Sequence, residues 1–227
     1  MIVVLNNKSN LNKEEFISYI NELNTINTTD TLILCPTYLN IANFNSNSIL
    51  LGSQSVSSYD NGAYTGEVSA KDLFSYGVKY SIIGHSERRE YQKESNEEIK
   101  EKLNRLLDNN ITPILCVGES KLERDNNTYK SILEEELNIL SNIDKEVIIA
   151  YEPIWSIGTG IIPTKEEIEE VITFIKEKYP NNKVLYGGSA NLSNIDMLKT
   201  ISIIDGYLLG GLSLKIDELK TFIDKLK

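Results

Sequence analysis

The chain has 227 residues, 41% hydrophobic and 25% charged, and 33 acidic against 23 basic side chains leave a net charge of −10. This is a folded globular composition, and the lack of a basic excess argues against nucleic acid and anionic membrane surfaces as partners. One histidine and two cysteines exclude the common four-ligand Cys/His zinc site, so histidine chemistry has only His85 to use.

Short apolar runs alternate with amphipathic stripes along the chain. Residues 2–5 read as a first strand, and Phe16, Ile17, Ile20 and Leu23 follow at helical spacing. A second strand is expected at 32–35. After it only 38–44 can be helical, because 43–48 is mostly Asn and Ser. Strands follow at 49–51 and 80–83. Ser95-Asn96-Glu97-Glu98 then reads as a capping box ahead of Ile99, Leu103, Leu106 and Leu107. The runs 114–117 and 147–151 come next, and Thr164-Lys165-Glu166-Glu167 caps a stripe of Ile168, Val171, Ile172 and Ile175. The last strands are read at 184–186 and 203–209, and Leu219, Phe222, Ile223 and Leu226 close the pattern.

Apolar runs rich in Ile and Val fit strands buried on both faces, and their alternation with helices predicts repeated βα units around a parallel sheet. An eight-stranded barrel and an open doubly wound sheet are the two closures. No linker divides the chain, so residues 1–227 read as one domain. Cys35 and Cys116 lie inside apolar runs and are expected as buried free thiols. The N-terminal apolar segment is too short for a signal peptide, and no run approaches the ~20 residues of a membrane helix, so a cytoplasmic location is expected.

The polar residues cluster by position. Asn6, Lys8, Gln54, His85, Glu119 and Glu152 each follow a strand run, as do Gly187-Gly188-Ser189 and Gly210-Gly211. In a parallel barrel all of them fall on the carboxyl-end face, where barrel enzymes place their sites. His85 opens a polar segment expected to be helical, and a helix N-terminus favours the neutral ring. Glu152 closes an apolar strand, where desolvation makes a carboxylate a stronger base. The two glycine pairs let backbone N–H groups approach an anion, and Lys8 supplies local positive charge. Two prolines, Pro153 and Pro163, bracket a glycine-bearing tip that suits a lid. No complete dinucleotide fingerprint, Walker A sequence or nucleophile elbow is present.

Seven segments in order resemble the triosephosphate isomerase family. They are Asn6-Asn7-Lys8, Gly62-Ala63-Tyr64-Thr65-Gly66-Glu67, Ile83-Gly84-His85-Ser86-Glu87-Arg88-Arg89, Ala150-Tyr151-Glu152-Pro153-Ile154-Trp155, Ile157-Gly158-Thr159-Gly160, Tyr186-Gly187-Gly188-Ser189 and Asp205-Gly206-Tyr207-Leu208-Leu209-Gly210-Gly211. The resemblance implies a single (β/α)8 TIM barrel with a shortened second βα unit. It implies interconversion of dihydroxyacetone phosphate and D-glyceraldehyde 3-phosphate through an enediol(ate), a reaction of glycolysis and gluconeogenesis. By resemblance Glu152 is the base, His85 the neutral electrophile, Lys8 and Asn6 the charge-stabilising pair, and Glu87 the glutamate near the lysine. Gly158, Ser189, Gly210 and Gly211, with Asn6 and Lys8, match the phosphate grip. No metal or organic cofactor is implied.

The segment 62–67 resembles the loop by which one subunit of this family inserts into another. A homodimer is therefore implied, with Gln54, Tyr64, Thr65 and Glu67 at the contact. Departures are Asn7 where an aromatic is common, Ala70 where proline is common, and an Ile161-Ile162-Pro163 rear hinge without the usual lysine. The chain is also shorter than the ~250 residues typical of the barrel. A hydrolase using Glu119 and Glu152 as paired carboxylates, and a non-catalytic phosphate-binding protein, are the competing readings.

Overall fold

The apolar runs become strands whose two faces are both covered, and the strands close on themselves. The computed structural model describes residues 1–157 and 161–226. Among the described residues, β1 (Ile2–Asn6), β2 (Thr31–Cys35), β3 (Leu50–Ser53), β4 (Tyr80–Ile83), β5 (Thr112–Val117), β6 (Ile148–Tyr151), β7 (Lys183–Tyr186) and β8 (Gly206–Leu209) pair in chain order into a closed barrel. Every pairing is parallel, and β1 closes on β8 with Val4 opposite Leu208. The helices on the outside are α1 (Lys13–Leu23), α2 (Tyr38–Ile41), α3 (Ala70–Ser75), α4 (Ser86–Tyr91), α5 (Asn96–Asp108), α6 (Lys121–Asp125), α7 (Tyr129–Leu137), α8 (Lys165–Lys178), α9 (Ile195–Leu198) and α10 (Ile216–Leu226).

Alternation along each strand divides the core in two. Val4, Ile33, Cys35, Ile82, Ile114, Cys116, Ile148, Ala150, Leu185 and Leu208 fill the barrel interior. Their strand neighbours, such as Leu5, Leu34, Ile83, Leu115 and Ile149, face the helices in the larger outer cluster. The period of two then lifts Asn6 above Val4, Glu152 above Ala150, Gly187 above Leu185 and Gly210 above Leu208 at the barrel mouth. Both cysteines are buried and unpaired, as their apolar context predicts. No helix of the described residues is long and apolar enough to cross a membrane.

Three local expectations need correction. The second unit is short, but α2 stops at Ile41 and does not reach Phe44. In α1 the inward stripe is Phe16, Tyr19, Ile20 and Leu23, while Ile17 stays 40% exposed. The last strand begins only at Gly206, because Asp205 is taken up as an anchor: it accepts from the Val184 N–H and pairs with Lys176.

The helix starts follow their side chains. Thr164 and Glu167 form the reciprocal capping box ahead of α8. Ser95 accepts from the Glu98 N–H at α5, but the Glu98 carboxylate turns to Lys102, one helical turn on, so that box is half formed.

Candidate active site

Lys8 is placed by a backbone that L residues rarely adopt. Its φ is +51°, in the left-handed region, which costs a non-glycine residue about 1–2 kcal/mol. Two amides hold it there. The Asn6 side-chain oxygen accepts from the Lys8 N–H at 3.0 Å, and Gln54 Nε2 donates to the Lys8 carbonyl at 2.8 Å and to Cys35 O at 2.9 Å. Gln54, expected to support the subunit contact, makes these bonds within its own barrel and also lines the wider of the two cavities beside His85. The Lys8 ammonium lies 2.6 Å from Glu87 Oε1 and beside Gly210, where a Cβ would meet Lys8 Cε at 3.4 Å.

His85 is delivered by a turn that only glycine allows. Gly84 has φ +68°, and a Cβ there would lie 3.1 Å from the Cys116 carbonyl oxygen. His85 then caps α4, with Nδ1 accepting from the Glu87 N–H at 3.2 Å. An Nδ1 that accepts leaves the proton of a neutral ring on Nε2. Nε2 lies 3.3 Å from Glu152 Oε1, and both side chains are buried. Room for Glu152 is made by Gly187, where a Cβ would come within 2.8 Å of Glu152 Cγ.

A cavity of about 160 Å³ opens beside this pair. Asn6, Lys8, His85 and Glu152 line one side, and Gly188, Ser189, Gly210 and Gly211 line another. Among the described residues, and apart from its chain neighbours, no heavy atom lies within 4 Å of where a Gly211 Cβ would sit. Ser189 is brought to this wall, but its hydroxyl donates to the Ser156 carbonyl, which ties the β7 end to the segment after β6. Gly158 lies outside the described residues.

A second, wider cavity of about 380 Å³ adjoins the first and shares Asn6, Lys8 and His85 with it. Its outer wall includes Tyr38, Gln54, Glu87 and Arg88. The loop that resembles the inserting segment projects into solvent away from its own barrel. Residues 59–67 are all exposed, and Tyr59 and Tyr64 stack at 4.3 Å. Thr65 and Glu67 line neither of the two cavities beside His85.

Glu119 is committed to partners of its own, which speaks against its use as half of a two-carboxylate hydrolase. Its side chain is fully buried, accepting at 3.0 Å from both Tyr151 OH and Trp155 Nε1. Burial pushes its carboxyl above the usual range against those hydrogen bonds. The result is an anchor for the segment after β6. Sequence reasoning also passed over a buried ionic cluster beneath the wider cavity, in which Glu94 Oε1 accepts from both Arg88 Nε and Lys102 Nζ. A lysine inside the apolar stripe of α5 was the available signal.

The sequence model of the family described as "Triosephosphate isomerase" matches residues 1–226. A triosephosphate isomerase of Mesomycoplasma hyorhinis is 41% identical over 221 residues, covering 93% of this chain and 91% of that protein. One from Francisella tularensis subsp. mediasiatica is 42% identical over 188 residues, 77% of this chain and 74% of its own length. Parallel closure of the strands, a buried His85–Glu152 pair at the barrel mouth and this likeness over nearly the full chain agree, and the chain belongs to the triosephosphate isomerase family.

Proposed function

We propose that this barrel interconverts dihydroxyacetone phosphate and D-glyceraldehyde 3-phosphate, as a cofactor-independent isomerase. Family membership carries the reaction class. The observation that carries the residue assignment is the 3.3 Å approach of His85 Nε2 to Glu152 Oε1 at the edge of the 160 Å³ cavity. The Glu152 carboxylate removes a proton from the carbon next to the substrate carbonyl and returns it to the neighbouring carbon. The neutral imidazole donates its Nε2–H to the oxygen on which negative charge develops. Lys8 and Asn6 stabilise that charge. Backbone N–H groups of Ser189, Gly210 and Gly211 take the phosphate, and a closed site suppresses phosphate loss from the enediolate. The overall charge of −10 does not oppose this, because Lys8 acts locally.

A coupled assay tests the reading. Glu152→Gln and His85→Ala should each lower kcat by about 10²-fold or more. Turnover unchanged in either variant removes that residue from its role.

The active unit in this reading is a homodimer in the cytoplasm. In this reading the exposed 62–67 loop of a second copy enters the wider cavity lined by Lys8 and His85, with Tyr64, Thr65 and Glu67 at the contact, supported by the exposure of that loop and the opening of that cavity. Sedimentation should give twice the chain mass, and Thr65→Arg should shift the protein toward monomer with loss of activity. A monomer with full turnover overturns the dimer.

A further inference from the structure

Behind the His85–Glu152 pair, on the side away from the cavity, lies a buried acid that the proposed reaction does not use. Glu136 projects from α7 and is 7% exposed. Its Oε2 accepts from the Gly118 N–H at 2.8 Å, and its Oε1 lies 3.4 Å from Arg89 Nε. Each contact leads to one member of the pair. Gly118 packs on the Glu152 backbone so closely that a Cβ would overlap the Glu152 carbonyl at 1.8 Å, and the Glu152 N–H donates to Val117 O at 2.8 Å. Arg89 Nε donates to the carbonyl of Gly84, the residue before His85, at 2.8 Å. A crevice too narrow for water joins Gly84, Arg89, Gly118, Glu136 and Glu152.

Resting on the proton-transfer reading above, we propose that Glu136 is a positioning residue for that pair: its carboxylate holds the two strand ends that carry His85 and Glu152 in register, through the Gly118 N–H on one side and Arg89 on the other. Charge strengthens both contacts: the hydrogen bond from the Gly118 N–H, because one to an ionised acceptor is about twice as strong as a neutral one, and the ion pair with Arg89, whose Nε–H is itself given to the Gly84 carbonyl. Protonation of Glu136 loosens the grip without touching the substrate.

The groups facing Glu136 are Arg89 of α4, Cys116 of β5, Glu119 beyond β5, Glu123 of α6, and Glu152 across the crevice. Burial dominates them and pushes the Glu136 carboxyl up to about 7, against Arg89 and the Gly118 N–H. The holding contact therefore switches within the neutral range, and kcat should rise with pH through it.

The test compares the unmodified protein with Glu136→Gln and Glu136→Ala, measuring kcat and KM from pH 5.5 to 8.5. The glutamine keeps the volume and an acceptor for the Gly118 N–H but carries no charge. It should hold kcat within about threefold at neutral pH while the inflection near 7 in kcat disappears. The alanine should lower kcat about tenfold with KM for triose phosphate within twofold, because the phosphate wall is not touched. An unchanged kcat in the alanine variant, or the same inflection persisting in the glutamine variant, overturns the proposal. Absence of turnover in the unmodified protein removes the isomerase reading itself, whereas turnover that ignores position 136 removes this inference alone.

Discussion

At the residue scale the site depends on small residues as much as on charged ones. A methyl group at Gly187 would sit 2.8 Å from Glu152 Cγ, so Gly187→Ala has to push the carboxylate off its line to His85. A displacement near 1 Å costs on the order of 10²-fold in rate. The expected outcome is that loss in kcat with little change in melting temperature, read in the coupled assay and by calorimetry. Lys8 presents the converse, a charged residue in a conformation that glycine would tolerate better. Gln54→Ala removes the donor to its carbonyl, and relaxation of Lys8 should raise KM for triose phosphate several-fold, whereas loss of stability should stay near 1 kcal/mol. The tautomer of the solitary histidine is directly measurable. Its ¹⁵N shifts should report a protonated Nε2 and an accepting Nδ1, as the Glu87 N–H contact requires; the opposite tautomer would disconnect His85 from the carbonyl chemistry.

At the scale of elements, two kinds of device hold the helices on the barrel. One is local. Thr164→Ala breaks the capping box of α8 and should cost about 1 kcal/mol in urea unfolding. The other is long-range. Lys102 of α5 has a side chain only 3% exposed and is neutralised by Glu94. Glu94→Ala removes the buried counter-charge and leaves that ammonium with the Glu98 carboxylate at 3.3 Å, a loss of about 3 kcal/mol. The same contrast explains what could be read in advance. Strands were legible because burial on both faces writes uninterrupted Ile and Val runs, and α8 was legible because cap and stripe lie within one short window. The site residues were legible as polar endings to those runs, and with them the barrel face on which they gather. Glu94, Glu136 and Glu119 were not, since each is defined by partners on other elements. In a linear reading a glutamate on a helix is a solvated charge. Ile17 is a similar case: helical spacing admits it to the stripe of α1, but the inward place goes to Tyr19, whose hydroxyl donates to the Ser213 carbonyl at 2.6 Å.

For the whole molecule, a partly buried acid before β8 and a buried one on α7 set opposing limits on stability. Hydrogen bonds from Lys176 and the Val184 N–H hold the Asp205 carboxyl below its usual range, against its own burial. That contribution is present above the unfolded-state value and is lost as pH falls through the lower folded one. Glu136 behaves in the other direction. With a folded value of about 7 against 4.5 for the free group, its stabilising share is complete below the unfolded value and is lost as pH rises between them. The loss is on the order of 3 kcal/mol. Urea midpoints should therefore peak on the acid side of neutrality, and Glu136→Gln should flatten the decline above the peak. An unchanged pH profile in that variant would show that another group causes the decline.

One bond at the barrel mouth also makes the protein its own optical instrument. Trp155 is the only tryptophan of the chain. Its indole donates to the buried Glu119 carboxylate, and the Lys121 ammonium sits 5.3 Å from the ring. Two charges of opposite sign thus bracket a single chromophore at the root of the segment after β6. Any rotation of that root changes the local field on the ring. Emission colour and intensity should then track occupancy of the phosphate wall, allowing stopped-flow binding measurements without a label or a second tryptophan to confuse the signal.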